Sequence, residues 1–442
     1  MAFDLIIKNA IILSSHTDYL PFQASVGVKD GWIVQINRSG TPMEGTLVVP
    51  AEGKILMPGL INGHCHGDMT LLKGLGDNLT LQKQNETFAP YGWFRRYLSD
   101  DNRFLSRQLT YCEALLSGTT FLAESMFWSL GLRAIDAMAE TGIRGAPAEN
   151  IRRDFSKPDM LIDDSEIETF ISGCRSADLL PILVTIAEED FNEERLKRIG
   201  QKMAIHGIRQ TFHLAETAWR LDLIKRRFGQ TSVAYLEHCG VLNENMIASH
   251  AVYLSDEEIE LLGKRGVGIV NTPVAEMKLA DGVAPIPKLL QAGLRLGLGT
   301  DGAMWNNSAD LFREMKAMLL LHSLTSGPGT VTEKDVLDMA TVGGASLFGL
   351  ELQLGTIEVG KRADMILLDM AKPHLSPLRT ENHSNAASLV VNCATGSDVT
   401  DVFVKGRRVV ETGRLTTMDI GRLHRQASAV SERIAAAIGN NL

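Results

Sequence analysis

The amino-acid sequence predicts an α/β protein: a (β/α)8 TIM barrel joined to a small composite β-sandwich that both ends of the chain build together. Between residues 58 and 354, short apolar segments alternate with amphipathic stretches, which is the pattern of parallel βα units. Before and after that region, short alternating segments are separated by glycine-containing turns, which is typical of antiparallel strands.

The N-terminal segment, residues 1–57, is predicted to form half of the sandwich. Its candidate strands are 5–7, 10–13, 25–29, 32–36 and 46–49. We expect a turn at Lys8 and Asn9, and a tight hairpin at Asp30-Gly31, because this dipeptide suits the positive φ angles of a two-residue turn. The segment is too small to form a comfortable core by itself.

Residues 58–354 are predicted to form the barrel. The candidate strands are 60–64, 119–123, 143–148, 181–187, 208–214, 246–252, 267–271 and 294–300. Amphipathic stretches such as 256–264 and 286–292 separate them and indicate helices. Eight such units fit the (β/α)8 count, and a barrel of this kind takes about 250 residues.

After the barrel, residues 355–415 are predicted to return to the sandwich, and residues 416–442 to form a C-terminal helix. The candidate strands are 363–368, 388–391, 399–404 and 408–410, with turns at Gly355, Gly360 and Gly406. The simplest assembly pairs these strands with the N-terminal ones, so that the barrel is inserted into the sandwich.

Composition excludes several classes of protein. The 442 residues are 45% hydrophobic and carry a net charge of -9, and no basic patch suggests a nucleic-acid surface. No stretch approaches the roughly 20 apolar residues of a membrane span. The five cysteines are scattered, without a Cys-x-x-Cys pair, and the first residues include an acid where a signal peptide would carry basic residues. We therefore expect a cytoplasmic protein that binds neither nucleic acid nor membrane.

Candidate catalytic residues gather at the ends of predicted barrel strands. Residues i and i+2 of a strand share a face, so His64 and His66 can reach one cation together. The carboxyl ends of the other strands, where barrel enzymes place their active sites, add four side chains: His213, Glu216, His250 and Asp301. Three histidines and Asp301 form a ligand set suited to Zn²⁺ or Fe²⁺, with Glu216 and His250 left for proton transfer.

Each of these residues has a structural explanation when taken alone. A single histidine is more often a core or surface residue, Asp301 before Gly302 could start a turn, and Glu216 could be an acid in the first turn of a helix. Their joint occurrence at one predicted rim favours a metal site.

These motifs resemble the amidohydrolase superfamily, and most closely its branch of cytosine deaminases, adenosine-type deaminases and s-triazine hydrolases. The resemblance rests on 58-PGLINGHCH-66, 213-HLAE-216, Ser249-His250, 299-GTDG-302, 277-MKLA-280 and 354-LGTIEVGKRAD-364. It implies that His64, His66, His213 and Asp301 ligate the metal and that Glu216, His250 and Asp301 are catalytic. Dinuclear relatives use a modified lysine on the fourth strand; residues 181–187 contain none, so one divalent ion is expected, Zn²⁺ first and Fe²⁺ as the alternative.

The resemblance implies a hydrolytic deaminase of an amino-substituted aromatic nitrogen heterocycle, such as a purine, pyrimidine, pterin or triazine. Hydroxide generated at the metal would attack the amino-bearing ring carbon, and ammonia would leave. The same site could instead remove chloride or an alkylamine from an s-triazine, or open a cyclic amide. A non-catalytic scaffold is a further alternative, although it predicts eroded ligands. Relatives are often dimers or larger, so a homo-oligomer is also expected.

Seven residues are candidates for contacts with the small heterocyclic substrate. The long loop after the first strand contributes Trp93, whose ring could stack on a planar heterocycle or pack on the barrel rim. Related deaminases often carry a histidine after the fourth strand, whereas this chain has 188-EED-190, whose carboxylates could bind substrate amino groups or begin a helix. The candidates are Glu188, Glu189, Trp93, Trp219, Glu276, Trp305 and Asn306.

Overall fold

A computed structural model describes residues 2–88, 98–126, 129–154, 157–185 and 187–439. Within these ranges the chain forms two large β-sheets and a two-stranded ribbon. The first large sheet comes from the two ends of the chain, and the second lies in the central region. This division follows the change of pattern seen in the sequence.

Five strands precede the central region: β1 (Phe3–Ile12), β2 (Phe22–Lys29), β3 (Trp32–Asn37), β4 (Gly45–Pro50) and β5 (Lys54–Pro58). The hairpin predicted at Asp30-Gly31 joins β2 to β3 in antiparallel pairing, with φ angles of 51° and 77° at these two residues. The turn predicted at Lys8 and Asn9 is wrong. β1 runs through this point, and the pairing with β2 shifts register between Ile7 and Ala10. Asn9 adopts φ 59°, which an asparagine tolerates, so the extra residue forms a bulge instead of reversing the chain.

The central sheet is parallel. Its strands are β6 (Leu60–His66), β7 (Thr119–Glu124), β8 (Arg144–Ala146), β9 (Ala148–Asn150), β12 (Ile182–Val184), β13 (Arg209–Leu214), β14 (Met246–His250), β15 (Gly268–Asn271), β16 (Leu296–Leu298) and β17 (Asp301–Gly302), and the ribbon consists of β10 (Arg152–Asp154) and β11 (Lys157–Leu161). β8 pairs with β7, and β9 pairs with β12 at the other end of the strand order. Since only Pro147 separates β8 from β9, the sheet closes into the predicted barrel.

The C-terminal region completes the terminal sheet with β18 (Met365–Asp369), β19 (Val399–Val404), β20 (Arg407–Glu411) and β21 (Arg414–Leu415). β18 pairs antiparallel with β5, so both ends of the chain share one mixed sheet, as expected. Leu56 and Met365 belong to the same buried cluster of that sheet. The strand predicted at 388–391 is wrong, because these residues lie in a helix. Four apolar residues are too few to distinguish a strand from a short buried helix.

The described helices are α1 (Leu81–Phe88), α2 (Asp100–Leu116), α3 (Leu132–Thr141), α4 (Asp164–Ser176), α5 (Glu193–His206), α6 (Ala218–Phe228), α7 (Ser232–His238), α8 (Asp256–Arg265), α9 (Pro273–Leu279), α10 (Ile286–Gln291), α11 (Leu311–Ser326), α12 (Glu333–Ala340), α13 (Val342–Leu347), α14 (Ala386–Asn392) and α15 (Ile420–Gly439). The predicted helices at 256–264 and 286–292 correspond to α8 and α10. α8 begins with a capping box between Ser255 and Glu258. In the described ranges, none of the helices combines the length and apolarity needed to cross a lipid bilayer.

The register of the barrel determines which strand ends meet. Leu214 lies opposite His250 in the β13–β14 pairing, and Gly302 lies opposite His66 in the β17–β6 pairing. Gly299 lets this rim close, because a Cβ atom at this position would lie 2.8 Å from Cβ of His64. The carboxyl ends of β6, β13, β14 and β17 therefore surround one point.

Candidate metal centre and its surroundings

The four predicted metal ligands converge at that rim. Nε2 of His64 and Nε2 of His66 each lie 3.4 Å from Oδ1 of Asp301. Nε2 of His213 lies 3.2 Å from Nε2 of His66. His64, His66 and Asp301 are buried, while His213 is partly exposed. The structure thus brings three imidazoles and one carboxylate to a common centre.

This group of atoms fits a divalent cation. Nε2 of His64 and Oδ1 of Asp301 are buried without a hydrogen-bond partner among the described residues, although burying a polar atom unsatisfied is costly. Nδ1 of His64 lies 2.8 Å from Oγ of Ser249. When this nitrogen donates to the hydroxyl, the lone pair of Nε2 faces the centre, as a metal-binding histidine requires.

Electrostatics also suit metal binding. Burial lowers the pKa of His64 and of His213, and it lowers the pKa of His66 to about 3, so these imidazoles stay neutral, the form that binds a metal. Burial alone would raise the pKa of Asp301, but the surrounding histidines lower it to about 2. The set therefore presents three neutral nitrogens and one carboxylate.

Glu216 and His250, the predicted proton-transfer residues, lie beside this centre. Oε1 of Glu216 is 3.7 Å from Nε2 of His250, and the ring centroids of His250 and His64 are 5.5 Å apart. Both side chains are buried. His250 adopts φ 73°, an unusual backbone conformation for a residue with a Cβ atom, and such conformations cluster at functional sites.

Glu276, a predicted substrate contact, lies behind His250. Its carboxylate accepts hydrogen bonds from Nδ2 of Asn271 at 2.7 and 2.9 Å, and Oε1 lies 3.6 Å from Nδ1 of His250. Oγ1 of Thr272 lies 3.0 Å from the same Nδ1. Burial alone would lower the pKa of His250, but Glu216, Glu276 and Asp301 raise it to about 10. The observed contacts of Glu276 orient His250.

Trp305 and Asn306 support the ligands from the other side. The Trp305 ring packs edge-on against the His66 ring, with centroids 5.0 Å apart, and its Nε1 donates to Oε1 of Gln84 at 2.9 Å. Nδ2 of Asn306 donates to the carbonyl oxygen of Thr300 at 2.7 Å. Both side chains are buried, and these contacts hold the turn that carries Asp301.

The acidic segment after β12 touches the turn that carries Glu216. Oε1 of Glu188 accepts a hydrogen bond from the backbone N of Ala215 at 2.9 Å, and burial raises the pKa of Glu188 to about 7. Oε1 of Glu189 accepts from Nε of Arg220 at 2.8 Å. Trp219 is partly buried, with the Arg220 guanidinium 5.2 Å from its ring centroid. Substrate contacts by these residues stay predictions, and Trp93 lies outside the described residues.

Sequence reasoning missed two residues at this site. Arg220 donates to both Glu189 and Glu216. Its position four residues after Glu216, where a helix was expected, was the available signal.

Asp281 follows α9 and is buried, and its Oδ2 has no hydrogen-bond partner in the described part of the chain. Burial, together with the nearby Glu216, raises the pKa of Asp281 to about 8. Nothing in its sequence context marked it.

Comparison with known proteins places the chain among deaminases. It is 33% identical over 440 residues to a 5'-deoxyadenosine deaminase of Methanosarcina acetivorans, covering 98% of this chain and 99% of that protein. It is 32% identical to a 5-methylthioadenosine/S-adenosylhomocysteine deaminase of Syntrophobacter fumaroxidans, covering 98% of each chain. The zinc-bound crystal structure of an adenosine deaminase from Xanthomonas campestris superposes with a TM-score of 0.89, at 26% identity, over 98% of this chain and 99% of that one. The model of the amidohydrolase family matches residues 55–409, and this chain belongs to that family.

Proposed function

We propose that the protein is a hydrolytic deaminase that removes the amino group from the purine ring of an adenine nucleoside and releases ammonia. The observation that carries this proposal is the convergence of His64, His66, His213 and Asp301 beside the Glu216–His250 pair. The names of the relatives support the nucleoside class, because two that match nearly the whole chain are deaminases of adenosine derivatives.

We assign the metal to the same four side chains, with zinc as the expected ion and Fe²⁺ as the alternative. The zinc in the Xanthomonas campestris deaminase structure supports this choice. A divalent ion at this position supplies the Lewis acidity that makes water a nucleophile near neutral pH. β12 contains no lysine to bridge a second ion, which supports one ion per chain.

The chain's own residues would handle the protons. Deamination replaces a ring C–NH₂ bond by C=O from water, so one proton has to reach a ring nitrogen and another the departing amine. Oε1 of Glu216 would donate to the ring nitrogen, and Nε2 of His250 lies 3.7 Å away from it. Because its raised pKa keeps His250 protonated near neutral pH, its Nε2–H would hold the oxygen of the attacking water, and the carboxylate of Asp301 would accept the water's proton. Burial of both side chains keeps bulk water from competing for these positions.

A substrate panel tests the proposal. Purified protein with measured zinc content is incubated with adenosine, 5'-deoxyadenosine, 5-methylthioadenosine, S-adenosylhomocysteine, guanine and a chlorinated s-triazine, and ammonia and chloride are measured. Ammonia release from adenine nucleosides, with the loss of adenine absorbance that deamination causes, is the expected result. Chloride release from the triazine, or no reaction with any adenine nucleoside, would refute the assignment.

Self-association and a cytoplasmic location stay predictions. Size-exclusion chromatography with light scattering measures the first, and fractionation of cells that express the tagged chain measures the second. A monomer at micromolar concentration would contradict the expected homo-oligomer.

A further inference from the structure

The loops after β12 and β13 are tied into one unit on the rim of the barrel. Oε1 of Glu188 accepts from the backbone N of Ala215 at 2.9 Å. Nη2 of Arg227, on α6, donates to the carbonyl oxygen of Phe191 at 3.0 Å. Nη1 of Arg152 donates to Oδ2 of Asp190 at 2.6 Å. The segment Glu188–Asp190 and the following Phe191 are therefore held by β10, by α6 and by the turn that carries Glu216.

Arg220 is the central contact between these two loops. Its Nε donates to Oε1 of Glu189 at 2.8 Å, and its Nη1 donates to Oε2 of Glu216. The side chain of Arg220 is 11% exposed and that of Glu216 is 4% exposed, so solvent screens this ion pair little. One guanidinium thus compensates two carboxylates, and each carboxylate bonds a different nitrogen of it.

This contact divides the two oxygens of Glu216 between two tasks. Oε2 is held by Arg220, whereas Oε1 lies 3.7 Å from Nε2 of His250. Nε2 of His250 is buried and has no hydrogen-bond partner in the part of the chain that the structure describes. Oε1 is therefore the oxygen that faces the metal centre and the space where a ring nitrogen would bind.

We propose that Arg220, held in place by Glu189, is a positioning residue for Glu216: it anchors Oε2 so that Oε1 is directed at the substrate. This inference rests on the proposed deaminase function and extends it. It assigns the segment after β12 to alignment of the proton-transfer carboxylate instead of substrate recognition. Fixing a reacting group in its productive geometry accelerates the chemical step more than it improves substrate binding.

Three variants test the role: Arg220→Ala, Arg220→Lys and Glu189→Gln, each assayed for ammonia release from the adenine nucleoside that the wild type prefers. Arg220→Ala is expected to lower kcat by about 10²-fold, within the range of a general acid–base contribution, while KM changes less than about threefold. Arg220→Lys should retain part of the activity, because lysine keeps the positive charge but lacks the planar guanidinium whose two nitrogens bond both carboxylates. Glu189→Gln should lower kcat by about tenfold, because Arg220 keeps its bond to Glu216 but loses the charge of its second partner. Metal content should equal that of the wild type in all three.

Arg227→Ala is the matched control. Arg227 lies on the same helix and holds the same loop, through the carbonyl oxygens of Glu189 and Phe191, but its described hydrogen bonds do not include Glu216. We expect it to leave kcat within about threefold of the wild type. Guanidinium added at millimolar concentration should increase kcat of Arg220→Ala by at least about tenfold and leave kcat of Arg227→Ala unchanged, since only the first variant lacks a cation beside Glu216.

The outcomes separate the two proposals. If the wild type is active and Arg220→Ala keeps full kcat, the positioning role is overturned and the deaminase assignment stands. The same conclusion follows if Arg220→Ala and Arg227→Ala lose activity to the same extent and guanidinium rescues neither. A wild type that releases no ammonia from any adenine nucleoside overturns both.

Discussion

Glu216 and His250 approach within 3.7 Å of each other through Oε1 and Nε2, beside three histidines and Asp301. Neither residue belongs to the predicted ligand set, yet both are buried against it. The second oxygen of Glu216 is bonded to Arg220, and the second nitrogen of His250 lies 3.0 Å from Oγ1 of Thr272. Each residue is therefore fixed on one side and directed at the centre on the other, as a pair that exchanges protons with a substrate requires.

Glu216→Gln should abolish most of the activity while leaving the metal in place. The amide keeps the size of the carboxylate but cannot transfer the proton, so we expect ammonia release to fall by about 10²–10⁴-fold. Metal analysis of the same preparation should equal that of the wild type, because Glu216 is not a ligand. Near-wild-type turnover in this variant would show that another group handles the proton.

Loss of a ligand should remove metal and activity together. For Asp301→Asn and His64→Ala we expect metal content well below one ion per chain, because His64→Ala removes one of the four donors and Asp301→Asn replaces the only charged donor by a weaker neutral oxygen. Dialysis of the wild type against a chelator should abolish activity, and zinc should restore it. If the variants keep full metal content, the ion binds elsewhere.

The hydroxyl of Thr272 should contribute to turnover through His250. Thr272→Val removes the group 3.0 Å from Nδ1 of His250 at nearly constant volume. A buried hydrogen bond contributes about 1–1.5 kcal/mol, so a fall of kcat by about tenfold is expected. Thr272→Ser keeps the hydroxyl and serves as the control. Equal kcat in all three proteins would show that His250 needs no such partner.

The metal ligands could be predicted because they lie on strands. Each of His64, His66 and His213 lies at or near the carboxyl end of its strand, and parallel strands present their carboxyl ends at one rim, so sequence position determined proximity. The surrounding contacts depend instead on side-chain packing between separate loops. Glu189 and Arg220 meet although 31 positions separate them, and no periodicity in the chain encodes that meeting.

Errors in the predicted fold have local causes. Pro147 divides the third strand into β8 and β9, although the sequence 143–148 read as one run. A proline cannot donate a ladder hydrogen bond, and here it separates residues that pair with different neighbours. The other two errors come from composition. The bulge at Asn9 contains residues that are also typical of a turn, and the short buried helix over 388–391 contains apolar residues that are also typical of a strand.

Arg144→Ala should destabilise the protein without altering the metal centre. Nε and Nη2 of Arg144 donate to the two carboxylate oxygens of Asp364 at 2.6 and 3.2 Å, linking the barrel to the terminal sheet. Removing one partner of a buried pair leaves an uncompensated charge, which costs about 3–5 kcal/mol. Urea unfolding measures the loss, and Lys83→Ala, which breaks the exposed pair with Glu86, should change little. Equal midpoints for Arg144→Ala and the wild type would contradict this prediction.

Glu188→Gln should raise the free energy of unfolding above that of the wild type, and this difference should grow as the pH rises. Burial raises the pKa of Glu188 to about 7 from its ordinary 4.5. Below pH 4.5 the folded and unfolded chains both hold the proton. Between 4.5 and 7 only the unfolded chain releases it, so wild-type stability falls with pH and the penalty is complete above 7. The amide keeps an oxygen for the backbone N of Ala215 but cannot ionise, so the variant avoids a penalty on the order of 3 kcal/mol. Urea unfolding at pH 5 and pH 8 should show the difference between variant and wild type growing with pH. The exposed Glu86→Gln provides the baseline, and a difference that stays constant would mean that Glu188 ionises as readily in the folded protein as in the unfolded chain.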